Sequence, residues 1–144
     1  MSQVELFVGL KIPDTTAITT FHTLERMGYG IKKLKRQIYY KFDIDGDEVE
    51  FAKKANKIDV LVNANKNTFS NELNKEDGAV YILVKDLDDK CEGLLSTLKH
   101  RLGLKEIKSM EKGTLWALFV DSDKAEEIAK KLLYNENYQE IKLL

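Results

Sequence analysis

Tyr39-Tyr40-Lys41-Phe42-Asp43-Ile44-Asp45-Gly46-Asp47 and Leu115-Trp116-Ala117-Leu118-Phe119-Val120-Asp121-Ser122-Asp123 decide how this sequence is read. Each is a mostly apolar run that ends in an acidic, turn-forming tail. Their surroundings match as well. Leu24-Glu25-Arg26-Met27-Gly28-Tyr29-Gly30-Ile31-Lys32 precedes the first, and Leu98-Lys99-His100-Arg101-Leu102-Gly103-Leu104-Lys105-Glu106-Ile107-Lys108 precedes the second. Ala52-Lys53-Lys54 follows one and Ala129-Lys130-Lys131 the other. The offset drifts only from 75 (Gly28 to Gly103) to 77 (Ala52 to Ala129). Matches in the same order at a near-constant spacing are the signature of an internal duplication.

The predicted elements repeat in the same way. Val4 to Leu10 alternates as a strand does, and Pro13 stops it. Asp14, Thr15 or Thr16 can cap a helix with the stripe Ala17, Ile18, Phe21, Leu24 and Met27, closed by Gly28 or Gly30. Ile31 to Arg36 and Ile38 to Ile44 read as two strands. Asp45-Gly46 makes a turn and Asp47 caps a short helix to about Asn56. Ile58 to Val62 reads as a strand, with a continued helix as the alternative. In the second half, Ala79 to Lys85 is a strand. Asp88 or Asp89 caps a helix with the stripe Cys91, Leu94, Leu95, Leu98 and Leu102. Glu106 to Met110 and Thr114 to Asp121 are strands, and Asp123 caps a helix carrying Ala125, Ile128, Ala129, Leu132 and Leu133. Tyr138 to Leu143 is the last strand. The expected fold is α+β: a tandem duplication of a βαββαβ, ferredoxin-like, two-layer module with antiparallel sheets. Repeat 1 spans 1–64, a polar linker with four Asn spans 65–78, and repeat 2 spans 79–144.

Composition bounds the function. The 144 residues are 43% hydrophobic and 33% charged, enough to build a core. One Cys excludes a disulfide framework, and with only two His a His/Cys metal centre is not expected. The net charge of −1 gives no basic footprint for a nucleic-acid backbone. No apolar run reaches the ~20 residues of a membrane span and no signal peptide is read, so a cytoplasmic location is expected.

The strands carry the partner argument. Leu6-Phe7-Val8, Tyr81-Ile82-Leu83-Val84 and Leu115 to Val120 are near-continuous apolar runs, whereas helices cover one face of a sheet only. Leaving ~500 Å² of such a face in water forgoes roughly 12 kcal/mol at about 25 cal/mol per Å². The second face must therefore pack against the other copy or another chain.

The residues that could carry chemistry have structural readings. Counted from Asp43, the acidic run Asp43 to Glu50 puts Glu48 at the sixth position and Lys54 at the twelfth, where a calcium loop needs Gly and a bidentate acid. It reads as a turn and a cap. Cys91 lies on a helix stripe. His22 and His100 do not align between the copies. Lys32-Lys33-Leu34-Lys35-Arg36 reads as a solvated edge strand, its functional alternative being an acidic partner or a nucleotide phosphate. Trp116 and Tyr39-Tyr40 read as core or inter-copy interface, and Tyr134 to Asn137 as a turn. No catalytic, cofactor-binding or metal-binding residue is assigned.

Ala125 to Ile141 resembles the C-terminal part of the PurS family: an acidic helix ending in Lys131-Leu132-Leu133, an Asn-containing loop, then a strand. Val4 to Lys11 is similar to that family's opening strand, and Met27-Gly28-Tyr29 to the end of its first helix. Pro13-Asp14-Thr15-Thr16 and Asp86-Leu87-Asp88-Asp89 stand where the family carries Asp-Pro-x-Gly. Its Gly-Lys step appears only as Lys112-Gly113, and as Arg36-Gln37 in the first half. The resemblance implies two tandem PurS-like modules acting as the non-catalytic small subunit of phosphoribosylformylglycinamidine synthase in purine biosynthesis. It also implies partners: a large synthetase subunit and a glutaminase subunit, in a complex that uses ATP and glutamine, with no cofactor held by this chain. A homo-oligomer is expected, with no nucleic acid and no membrane. The alternative is a tandem ACT-like regulatory module that binds a small molecule.

Overall fold

The computed structural model describes residues 2–11, 13–58, 61–63, 65–73, 75–86, 91–130 and 139–143. Strand β1 (Ser2–Leu10) buries Val4, Leu6 and Val8 on one side, as its alternation predicts. Asp14 caps helix α1 (Thr15–Arg26), its carboxylate accepting the Thr16 and Ala17 N–H groups at 3.0 and 3.2 Å. The helix closes on a left-handed Gly28 (φ 89°). Tyr29 N–H returns to the Leu24 carbonyl and Gly28 N–H to that of Glu25, so orphan carbonyls are satisfied.

Strand β2 (Leu34–Ile44) is continuous where two strands were expected. Arg36-Gln37 contains none of the residues that turn a chain, and its polar character alone does not end a strand. Helix α2 (Glu48–Ala55) is capped by Asp47, which accepts Val49 N–H at 2.8 Å. Ile58 to Val62 is not the expected strand in its described part. Leu61 and Val62 N–H both return to the Ile58 carbonyl, a turn that sends all three side chains to one core. Spacing i, i+3, i+4 in a short apolar run does not separate the two periods. The third strand, β3 (Asn67–Ser70), lies instead within the stretch read as a linker.

Strand β4 (Val80–Asp86) is followed by α3 (Glu92–Ser96), which opens on Cys91 in a left-handed conformation (φ 55°). The expected caps Asp88 and Asp89 lie outside the described residues. α3 continues into a π-helical turn, Thr97–Arg101. There Leu102 N–H reaches back five residues to the Thr97 carbonyl. The wider turn rotates Leu102 off the predicted stripe, leaving it 43% exposed while Leu98 stays buried. Strand β5 (Ile107–Leu118) merges the two strands expected there. Helix α4 (Ser122–Ile128) begins after Asp121 rather than Asp123, and the Asp121 side chain makes no capping bond. Strand β6 (Gln139–Leu143) is the last element; Leu132, Leu133 and Tyr138 lie outside the described residues.

The fold is α+β, with a six-stranded sheet ordered β3-β1-β2-β5-β4-β6. The β1–β2, β1–β3, β4–β5 and β4–β6 pairs are antiparallel. So is β2 with β5: Lys32 N–H bonds the Phe119 carbonyl, Phe119 N–H that of Lys33, and Asp45 N–H that of Glu106.

The chain divides into two compact units, each drawn from three stretches. Unit 1 comprises Met1–Lys11, Ile38–Leu73 and Asp88–Lys112; unit 2 comprises Ile12–Gln37, Asn74–Leu87 and Gly113–Leu144. In unit 1, Leu6, Phe42 and Ile44 of the sheet pack under Phe51 and Ala55 of α2 and Leu98 of the π-turn. Phe42 and Phe51 meet edge to face at 5.2 Å. In unit 2, Ile82, Val84, Trp116 and Leu118 pack under Leu24 of α1 and Ala125, Ile128 and Ala129 of α4. The opposite faces of the strands are buried too: Phe7 and Tyr39 in unit 1, Tyr81, Leu83, Leu115 and Ala117 in unit 2. Both sides of the apolar runs are thus covered within a single chain.

Gly113 explains part of the β5 reading. It is buried and makes no turn; β4 passes close beside it, and a Cβ there would meet the Val84 carbonyl oxygen at 2.8 Å. Gly113→Ala is expected to cost about 1–3 kcal/mol in urea unfolding. Gly93→Ala, with nothing within 4 Å and a helical backbone, is expected to be neutral or to stabilise by up to about 1 kcal/mol.

Candidate functional site

The residues with the most chemistry in unit 2 are the basic strand entry Lys32 to Arg36 and the acids that meet it. Arg36 comes from β2 and Asp14 from the cap of α1. The Arg36 guanidinium donates through Nε to Asp14 Oδ2 at 2.9 Å and through its terminal nitrogen to Oδ1 at 3.2 Å. This fork-to-carboxylate geometry is the strongest form of ion pair. The pair is mostly buried, with 24% and 16% of the two side chains exposed. Burial works against the Asp14 carboxylate, but the Arg36 guanidinium and the Ala17 and Thr16 N–H groups outweigh it and hold the carboxyl below its usual value.

Lys35 donates to Glu76 Oε1. That bond holds the ammonium in its charged form above its usual range, and Lys35 in turn holds the Glu76 carboxyl below its own. The Glu76 N–H donates to the Tyr81 hydroxyl at 2.8 Å, so the segment entering β4 is fastened at two points. Lys33 lies over the Phe119 ring at 5.7 Å. Lys33, Lys35 and Arg36 are each engaged within their own unit. The alternative of a phosphate-holding cluster is left with Lys32, whose side chain is exposed.

In unit 1, the Tyr39 hydroxyl donates to Glu5 Oε2 at 2.6 Å, and its ring sits 5.3 Å from that of Phe7. Burial, then the Glu5 carboxylate, push the phenol far above its usual range, so it stays a donor. Tyr40 and Trp116 lie in the cores of unit 1 and unit 2. The acidic run is divided: Asp43 Oδ2 accepts from Ser109 Oγ at 2.9 Å, Asp47 caps α2, and Glu48 and Glu50 are exposed in its first turn. Cys91 is buried in the unit 1 core. His22 is exposed beside Glu25 at 3.2 Å, and His100 is exposed on the π-turn. Tyr134 to Asn137 lie outside the described residues. Among the described residues, no group of three or more His, Cys, Asp or Glu is placed to hold a metal ion, and no helix is long and apolar enough to cross a membrane.

Two arrangements escaped the sequence reading. The Asp14–Arg36 fork joins positions 22 apart, with no spacing to announce it. The asparagines of 56–71 lock β3 in place: Asn67 Nδ2 donates to the Gly9 carbonyl, Asn71 Nδ2 to that of Glu5, and Asn56 Nδ2 to Asn71 Oδ1. The density of Asn between positions 63 and 74 was the available signal, since Asn side chains substitute for backbone groups in turns. Compared with known proteins, the chain matches no family model and no curated sequence.

Asp14→Ala removes both the cap and the fork and is expected to cost about 1–3 kcal/mol. Asp14→Asn keeps the cap acceptor and is expected to cost less. The folded carboxyl titrates below its unfolded value, so its contribution is complete above pH ~4 and lost as the pH falls through the folded pKa. Urea midpoints near pH 7 and about pH 3 are expected to differ less in Asp14→Asn than in the wild type.

Proposed function

We propose that this chain is a cytoplasmic, non-catalytic assembly subunit: two PurS-like modules in one polypeptide, joining a large synthetase subunit to a glutaminase subunit in a glutamine- and ATP-dependent phosphoribosylformylglycinamidine synthase. One observation carries the reading. The elements run strand, helix, long strand, helix, strand in each half, and the sheet order reads third-first-second, then second-first-third, from one edge to the other. Each unit takes one helix from each half: α2 and α3 in unit 1, α1 and α4 in unit 2. That is the pattern of two copies of one module that exchange their first helices, written into one chain. Duplication of a βα(long β)αβ module followed by fusion accounts for both the palindromic order and the drifting 75-to-77 offset (Gly28 to Gly103, Ala52 to Ala129).

The polar residues support a scaffold role. Asp14, Arg36, Lys35, Glu76, Tyr39, Glu5 and Asp43 all hold one part of a unit against another. A subunit of this kind acts through surface and rigidity, and the ATP and glutamine chemistry belongs to its partners.

Co-elution tests the reading. Mixed with the large synthetase subunit, the glutaminase subunit, an adenine nucleotide and glutamine, the chain is expected to move into a shared high-mass peak on a sizing column. It is also expected to raise glutamine-dependent amidine formation. Separate elution together with unchanged amidine formation would remove the proposal. Thermal stabilisation of the chain by an amino acid would favour a tandem ACT-like module in its place.

A further inference from the structure

The helical stretch of α3 and its π-turn ends, in unit 1, as a closed loop. Leu98 and Leu104 are both buried in the core, and the Leu104 N–H bonds the Leu98 carbonyl at 2.9 Å. Between them the chain passes through the rest of the π-turn and a left-handed Gly103 (φ 76°). Arg101, Leu102 and Lys105 stand exposed and Lys99 is half-buried. The Leu98–Leu104 bond brings Lys99 and Lys105, the next residues along, to the same closure. Positions 93–108 hold Lys99, Arg101, Lys105 and Lys108 against a single acid, Glu106, which Lys54 already answers at 3.5 Å. Among the described residues, no acid lies within ion-pair distance of Lys99, Arg101 or Lys105. Lys35 and Arg36, by contrast, are both answered within unit 2. Lys99 and Arg101 complement the carbonyl end of the helix; Lys105, beyond the last turn, does not. The π-turn adds an apolar group to this loop, since it leaves Leu102 out of the core.

We propose that this loop is a docking surface for an acidic peptide segment of another protein, its carboxylates meeting Lys99, Arg101 and Lys105 and one apolar side chain covering Leu102. Charge complementarity selects the occupant. Three unanswered cations in a chain of net charge −1 suit a short local run of acid, not a long polyanion. Carboxylates spaced along a peptide can each reach an ammonium or the guanidinium fork. Other anions fit this loop worse. Positions 92–108 hold no Phe, Tyr or Trp on which a base could stack. A phosphate is best held by the N–H groups that open a helix, and this loop sits at the carbonyl end of one. One exposed Leu offers a bilayer too little apolar area to enter. The surface follows from the loop alone and does not depend on the scaffold reading above.

Amide NMR of the full chain, titrated with a short synthetic peptide of Asp and Glu around one Leu, tests it. Shifts are expected to concentrate at residues 98–105, and the affinity to fall about tenfold between about 50 and about 300 mM salt. Arg101→Glu with Lys105→Glu is expected to weaken binding by about tenfold or more. Leu102→Ala, or Ala for Leu in the peptide, is expected to weaken it about threefold. The three side chains are exposed, so the far-UV circular dichroism of each variant is expected to match the wild type. Should the charge-reversed variant not fold, Arg101→Gln with Lys105→Gln takes its place, with the same direction of change. No binding at millimolar peptide, shifts scattered over the lysines of both units, or unchanged affinity in the folded variants would overturn the proposal. Tighter binding at the same loop by a single-stranded oligonucleotide or by phosphatidylserine vesicles would overturn it as well.

Discussion

Everything else in each unit hangs on the backbone pairing of β2 with β5. In unit 1 their bond is seen at Asp45 and Glu106, and in unit 2 at Lys32, Lys33 and Phe119. β1 and then β3 extend the sheet from β2 in unit 1; β4 and then β6 extend it from β5 in unit 2. The helices follow the sheets, because Phe42, Ile44, Trp116 and Leu118 must be removed from water and a helix face is what removes them.

Electrostatics refine this frame without creating it. The Asp14–Arg36 fork sits where α1 begins and β2 runs past, and Tyr39–Glu5 sits across β1 and β2. Each bond ties together elements that apolar packing has already brought near. Each satisfies a group that would otherwise be costly to bury. The basic entry to β2 shows the principle most clearly, since a run that looks like a ligand site in one dimension is largely answered by Asp14, Glu76 and the Phe119 ring in three.

Local rules were legible and long-range ones were not. Alternation in Val4 to Val8, the Asp14 and Asp47 caps and the Gly28 stop all act within a few residues, and the structure follows them. The strands expected on either side of Gln37 are one, because nothing at Arg36-Gln37 turns a chain, and those expected on either side of Glu111 to Gly113 are one, because a glycine needed for close strand approach looks the same in sequence as one needed for a bend. Leu102 left its stripe through one extra residue in a helical turn, a change no periodicity rule foresees. The asparagines of 56–71 were visible as composition, but their work depends on the carbonyls of β1, more than fifty residues earlier.

The interleaving of the units bears on how this protein comes into being. On the ribosome, a nascent chain that has emerged as far as Gly78 holds β1, α1, β2, α2 and β3, yet can finish neither unit, because unit 1 still lacks Asp88–Lys112 and unit 2 lacks Gly113–Leu144. Its apolar strands wait, half covered, for partners not yet translated. Folding is thus governed by late, distant contacts rather than by successive closure of independent pieces, which exposes the growing chain to chaperones for longer than its small size suggests.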